Sequence, residues 1–213
     1  MILLTVRDLS HRYVRFVVVV VLAAVVFALL FVMTGLVEQF NREPYDTTAA
    51  IGGSGWVLAE GVSGPFTAAS SLPATAIDAV EASDKAPVVA ARSSLGHDGS
   101  SEEIVVIGHE PGMLGTPDVS DGRAVAAPGE IVLDESMGID VGDEVVVAGQ
   151  PFEVVGLSEN TTILAGIPLS FMALADAQRL IFRSADVVSG FLVDGEVDSL
   201  PPGTTLIAAD EVA

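Results

Sequence analysis

One stretch constrains this chain more than any other: Phe16 to Val37, FVVVVVLAAVVFALLFVMTGLV, which holds no charged residue and no proline. At 1.5 Å rise per residue such a run makes a helix of roughly 33 Å, long enough for a hydrocarbon core of about 30 Å. A soluble helix keeps one polar face, and this run has none over six turns, so the stretch reads as a transmembrane helix. The chain is therefore expected to divide into residues 1–15 before the span, the span at 16–37, and a long segment, 38–213, after it.

The segment before the span is short and basic. Ile2, Val6, Leu9 and Tyr13 recur at helical spacing, with Arg7, Asp8, His11, Arg12 and Arg15 mostly on the other side. That pattern suits a short helix lying in the membrane interface, or a plain basic flank that fixes topology. Arg7, Arg12 and Arg15 precede the span, whereas Glu38, Arg42 and Glu43 follow it. The positive-inside rule then puts the N-terminus in the cytoplasm and residues 38–213 outside the cell membrane. A cleaved signal peptide competes with this reading. It calls for a shorter apolar core and a small-residue cleavage site, and Thr48-Ala49-Ala50 is a poor and distant one.

The long segment is acidic. After Val37 there are 6 basic and 28 acidic residues, a net charge of −22. Such a surface repels phosphate backbones, which argues against nucleic-acid binding. Half of the whole chain is hydrophobic, so this is a folding sequence and not a polar tail. It has no cysteine, which excludes disulfides and thiolate metal sites.

In order, Asn41 to Thr48 reads as a polar connector, and Gly52, Gly53 and Gly55 break any helix before a first short strand at Trp56–Leu58. The sole tryptophan, Trp56, suits core packing more than a binding site. Glu60 to Ser71 is a Gly- and Ser-rich loop. It fails the G-x-S-x-G nucleophile pattern because Pro65 replaces the second glycine. Ser70 or Ser71 is expected to cap a helix from Pro73 to about Ala82, with Ile77 and Val80 inward. Pro87–Leu95 and Glu103–Gly108 read as strands around a hairpin turn at Gly96–Ser101. His97 and His109 flank them, and a metal site would need both to converge with a carboxylate. Pro111 to Gly129 is loop-like, and DVSDGR at Asp118–Arg123 does not match a calcium loop.

Glu130–Leu133 is expected as a strand. Glu144–Ala148 and Phe152–Leu157 are expected as a hairpin joined across Gly149-Gln150-Pro151, with Val145 and Val147 buried. Asp140, Asp143 and Glu144 form a solvated acidic rim, or less plainly a cation site. Asn160-Thr161-Thr162 fits a glycosylation acceptor, which matters only in a eukaryotic secretory setting. Then come a strand at Ile167–Met172, a helix at Ala175–Phe182, and strands at Val187–Val193 and from Thr205 to Ala208. Asp210–Ala213 reads as the first turn of a helix. The chain has no G-x-x-x-x-G-K-[ST] loop, so it carries no nucleotide site of that kind. No residue stands out as catalytic, as a cofactor ligand or as a metal ligand. The fold class is α+β.

The order of these parts resembles a known family: the permeases of the MacB/FtsX/LolCE type of ABC transporter, and among them the small actinobacterial members without a large inserted ectodomain. The resemblance rests on RDLSHRYVRF (Arg7 to Phe16) leading into the span and on WVLAEGVSGPF (Trp56 to Phe66). It rests further on PGEIVLDESMGIDVGDEVVVAGQPFEVVGLSENTT (Pro128 to Thr162) and AGIPLSFMALADAQRLI (Ala165 to Ile181). It implies a MacB-like periplasmic core domain over residues 38–213, a cytoplasmic ABC ATPase as partner, and a second permease chain. It also implies that ATP hydrolysis moves the outer domain to export or extract a lipid, peptide or drug. Family permeases continue with three further transmembrane helices, so this chain is expected to be the N-terminal half of such a subunit. The competing reading is a single-pass anchored binding or scaffold protein that ends at Ala213. An anchored hydrolase would need a Ser/His/Asp or paired-carboxylate site, and only His97 and His109 are available to it.

Overall fold

The computed structural model describes residues 13–163 and 166–209. The interfacial helix expected over residues 2–13 and the helical turn expected at Asp210–Ala213 lie outside the described residues, apart from Tyr13. The chain divides into two compact units, residues 1–42 and 43–213.

The first element, α1 (Tyr13–Ile51), contains the apolar run. Val17–Gly35 is long and apolar enough to cross a membrane, and none of it is buried in protein. Phe31 is 77 % exposed, which a core helix would not tolerate. The helix does not stop at Val37. Residues 41–48, expected as a connector, are helical, because polarity alone does not end a helix. The stop comes at Gly52 and Gly53, whose φ values of 75° and 96° suit the left-handed C-terminal cap.

The second unit is the mixed α/β domain that the sequence implies. Its strands are β1 (Gly55–Ala59), β2 (Leu72–Pro73), β3 (Glu81–His97), β4 (Ser100–His109), β5 (Asp121–Gly122), β6 (Glu130–Asp134) and β7 (Glu144–Val147). They continue with β8 (Gln150–Ser158), β9 (Thr162–Ile163), β10 (Ile167–Ala173), β11 (Val187–Val188), β12 (Gly190–Ser199) and β13 (Thr204–Ala208). One helix, α2 (Leu174–Ile181), follows β10 directly.

Six of these strands close on themselves. β3 pairs β4, β4 pairs β10, β10 pairs β6, β6 pairs β8, β8 pairs β7, and β7 returns to β3. The β4–β10 and β6–β8 pairs are parallel and the other four antiparallel. Alternation fills this barrel. Ile104 and Val106 of β4, Val145 and Val147 of β7, and Phe152 and Val154 of β8 share one core. Their neighbours Val105, Ile107 and Val155 face a second core with Ile51, Trp56 and Val125.

β3 is long because it serves twice. Its second half pairs β4, from Val89 to His97, and its first half pairs β12. β12 continues through β1 to β13, so an antiparallel flap of three strands extends from the barrel. Val88 and Val89 are both fully buried, one in each core, which is why this stretch reads as a continuous apolar run. Both hairpins turn on two left-handed residues, Asp98-Gly99 and Ala148-Gly149, as two-residue turns between twisted strands require. The second turn lies one residue earlier than expected, so Gln150 and Pro151 belong to β8.

Two expected elements differ. The helix at Pro73–Ala82 is only a 3-10 turn, Ala74–Ala79, without a side-chain cap. Ser70 instead accepts from the Ala59 amide at 3.1 Å. The segment is too short to propagate an α-helix, and Glu81 already belongs to β3. Lys85 Nζ donates to the carbonyls of Ile77 (2.8 Å) and Val80 (2.5 Å) at its end. The strand at Val187–Val193 is broken at Ser189. There the hydroxyl replaces ladder bonds, accepting from Ala90 N at 3.0 Å and donating to Ala90 O at 3.1 Å.

Candidate functional site

In the loop after β1, Pro65, Phe66 and Ala68 roof a cleft of about 320 Å³, floored by Ala90, Ala91 and Val105 of the barrel and closed by Ile181 and Phe182 after α2. Its buried hydroxyls are spent: Ser70 and Ser189 are bonded to backbone, as described above. Arg92 at the rim pairs with Glu103 at 3.0 Å, both half exposed. The cleft therefore offers apolar contact bounded by one ion pair. Phe66 also meets Trp56 edge to face, with ring centroids 5.7 Å apart. Trp56 is 1 % exposed, so it supports the cleft from within.

A second arrangement ties the barrel together. Asp134, at the end of β6, is 2 % exposed. One carboxylate oxygen accepts from Thr161 N and Thr161 Oγ1, both at 2.7 Å, and the other accepts from Ser136 N at 3.0 Å. Ser158 Oγ lies 2.7 Å from Thr161 Oγ1. Burial works against the charge, but the hydrogen bonds from Ser136 and Thr161 outweigh it and hold the carboxyl below its usual range. The sequence hid this site, since each member is an ordinary polar residue beside a turn.

Two further acids are clamped. Asp176 of α2 pairs with Arg179 and accepts from Gly129 N at 2.7 Å. Glu130 takes both ends of the Arg123 guanidinium, at 2.6 and 2.7 Å, and the amides of Ala126 and Ala127. The sequence places Arg123 only in a loop; here its pair with Glu130 fixes the start of β6. The guanidinium, helped by the two amides, brings the Glu130 carboxyl from its usual 4.5 to about 2. A carboxyl depressed in this way contributes stability that is present above its unfolded value and lost as pH falls through the folded one. Denaturant unfolding should therefore show this contribution fading between pH 4.5 and 2. In Arg123→Ala the fading should be smaller, and an unchanged pH slope in that variant would contradict the clamp.

His97 ends β3, paired with Ser100 at the start of β4, and His109 ends β4, so about 30 Å of strand separates them and they do not converge. His97 Nε2 lies 3.6 Å from Asp98 and 3.8 Å from Asp143. Asp143 also accepts from Asp140 N at 3.2 Å, so this end of the acidic rim forms a turn. Among the described residues no three His, Asp or Glu are grouped to hold a metal ion. His109 is fully buried and edge-on to Phe171, with centroids 6.4 Å apart. The Glu110 carbonyl can only accept, so the proton sits on Nδ1, 3.2 Å away. Nε2 is then a buried lone pair without a partner among the described residues. Burial lowers the pKa of this imidazole and keeps it neutral.

Comparison with known proteins agrees with this architecture. The profile of the MacB-like periplasmic core domain matches residues 17–210. A Mycobacterium tuberculosis protein named an uncharacterized ABC transporter permease is 32 % identical over 217 residues, covering 97 % of this chain and 61 % of its own length. A second M. tuberculosis protein of the same description is 31 % identical over 207 residues, covering 92 % of this chain and 58 % of its own. The chain thus spans about three fifths of the curated relatives it matches. Among solved structures, the periplasmic region of MacB from Actinobacillus actinomycetemcomitans superposes with a TM-score of 0.53 at 12 % identity. It covers 74 % of this chain and 89 % of that one, a likeness of fold.

Proposed function

Because the chain belongs to the MacB-like periplasmic core domain family, we propose that it is the N-terminal part of an ABC transporter permease subunit whose outer domain is moved by ATP hydrolysis in a partner ATPase. The observation that carries this reading is that one family profile spans both the apolar helix and the α/β domain, residues 17–210. The outer domain supplies surface and not chemistry: its cleft is apolar, and the carboxylates of Glu130, Asp134 and Asp176 are held by hydrogen bonds within the domain. Residues 38–213 lie outside the membrane and Arg7, Arg12 and Arg15 hold the inner end of the span. Two such subunits, or two related ones, work together on a lipid, peptide or drug.

The test is purification from membranes of the source organism. A cytoplasmic ATPase should co-purify, and the intact product should exceed the mass of these 213 residues by further spans and loops. A product ending at Ala213 with no ATPase attached would sink the permease reading in favour of an anchored binding module.

Sidedness is tested separately. The chain has no cysteine, so a single cysteine placed at Asp98 reports exposure to a membrane-impermeant maleimide. Intact cells should label it. Converting Arg7, Arg12 and Arg15 to glutamate should strongly reduce labelling by removing the positive-inside signal. Labelling only after lysis in the parent protein would overturn the orientation.

A further inference from the structure

We propose that the outer edge of β13 is a docking rail that receives a basic, extended segment of a partner polypeptide as an added strand. β13 ends the sheet and pairs with β1 on one side only, from Thr204↔Ala59 to Ala208↔Gly55. At its two ends Glu60 N donates to Gly203 O (2.8 Å) and Ala209 N donates to Ser54 O (3.0 Å). Hydrogen-bonded pairs alternate along an antiparallel ladder, so Thr205 and Ile207 turn their backbone groups toward β1. Thr204, Leu206 and Ala208 turn theirs outward, where no strand of the described residues meets them.

This edge lacks the usual protection. Its sequence, TTLIA, has no charge, proline or glycine, whereas edges exposed to water are ordinarily blunted by such residues. The opposite end of the sheet, β5, is two residues long and contains Asp121. Leu206 is 40 % exposed on one face of the rail and gives an incoming strand an apolar anchor. Ile207 occupies the other face and is already buried.

Charge selects the occupant. Glu60 is exposed at the Gly203 end of the rail. Residues 38–213 carry a net −22, which opposes a second copy of this domain at the same edge and favours a cationic strand. This inference does not depend on the permease reading.

The experiment uses the whole chain in nanodiscs and, as probe, a short synthetic peptide of alternating lysine and valine. The control is a peptide of equal charge interrupted by prolines, which cannot pair as a strand. Leu206→Pro removes an outward N–H without touching the ladder to β1, and Leu206→Lys sets a repelling charge on a position that is 40 % exposed. Each should bind the probe about tenfold more weakly or worse than the parent. In the parent, the probe should slow hydrogen exchange at the amides of Thr204, Leu206 and Ala208, while Thr205 and Ile207 are slow from the start. Equal binding by both variants, or equal binding of the interrupted peptide, means diffuse charge attraction and overturns the rail. Self-association of the parent that Leu206→Lys abolishes would overturn the choice of a basic partner.

Discussion

Asp134→Ala should be the most damaging single polar substitution in the outer domain. It would strand two backbone donors, Thr161 N on a residue only 1 % exposed and Ser136 N, and leave Thr161 Oγ1 with Ser158 Oγ alone. A buried donor left unpaired costs about 1–3 kcal/mol. The sum is about 4 kcal/mol, or roughly 8–16 °C in Tm for a domain of this size. Asp134→Asn should fall between parent and alanine, because an amide offers one acceptor oxygen where the carboxylate offers two. Ser158→Ala should cost only about 1 kcal/mol, since Thr161 Oγ1 keeps Asp134. Thermal and urea unfolding would check the ranking. If Asp134→Ala were no worse than Ser158→Ala, the network would not be what holds the end of β6 to the approach to β9.

Gly108→Ala carries the second large effect. Gly108 lies on β4 beneath α2, and a Cβ there would collide with the Ala177 Cβ and press on Val89 Cβ at 3.3 Å. The α2 segment follows β10 without a linker and cannot swing away freely. Overpacking at such a contact costs about 3 kcal/mol. Adding Ala177→Gly should return most of that loss, although glycine within a helix itself costs about 1 kcal/mol. A double mutant whose loss is simply the sum of the singles would show that the two positions do not touch.

Much of the architecture was legible in the sequence, because it is written locally. The span is one uninterrupted apolar run. The hairpins show as alternating strands around Asp98-Gly99 and Gly149, and α2 as a short amphipathic repeat. The closing of the barrel was not legible. It depends on Leu95 meeting Val147, residues far apart in sequence with nothing local to announce the pairing. The start of β3 was missed because Glu81 to Lys85 are mostly polar, and only the partner strand β12 makes them extended. The buried polar residues were missed for a related reason. Asp134, Asp176 and Gln178 look like surface, but backbone donors and acceptors brought from elsewhere make burial affordable. Ala177 was anticipated on the inner face of α2; the packing of Gly108 against it was not.

A sheet with an edge can be peeled, one rung at a time, by a pull on its outermost strand. A ring offers no such starting point. Tension on the β3–β4–β10–β6–β8–β7 cycle is shared among its six ladders, of which the two-pair β3–β7 closure is the shortest. The three-stranded flap, β12–β1–β13, has an outer strand and can unzip from it. In a domain worked by force, the two parts would respond differently: the barrel as the stiff member of a hinge, the flap as its compliant leaf.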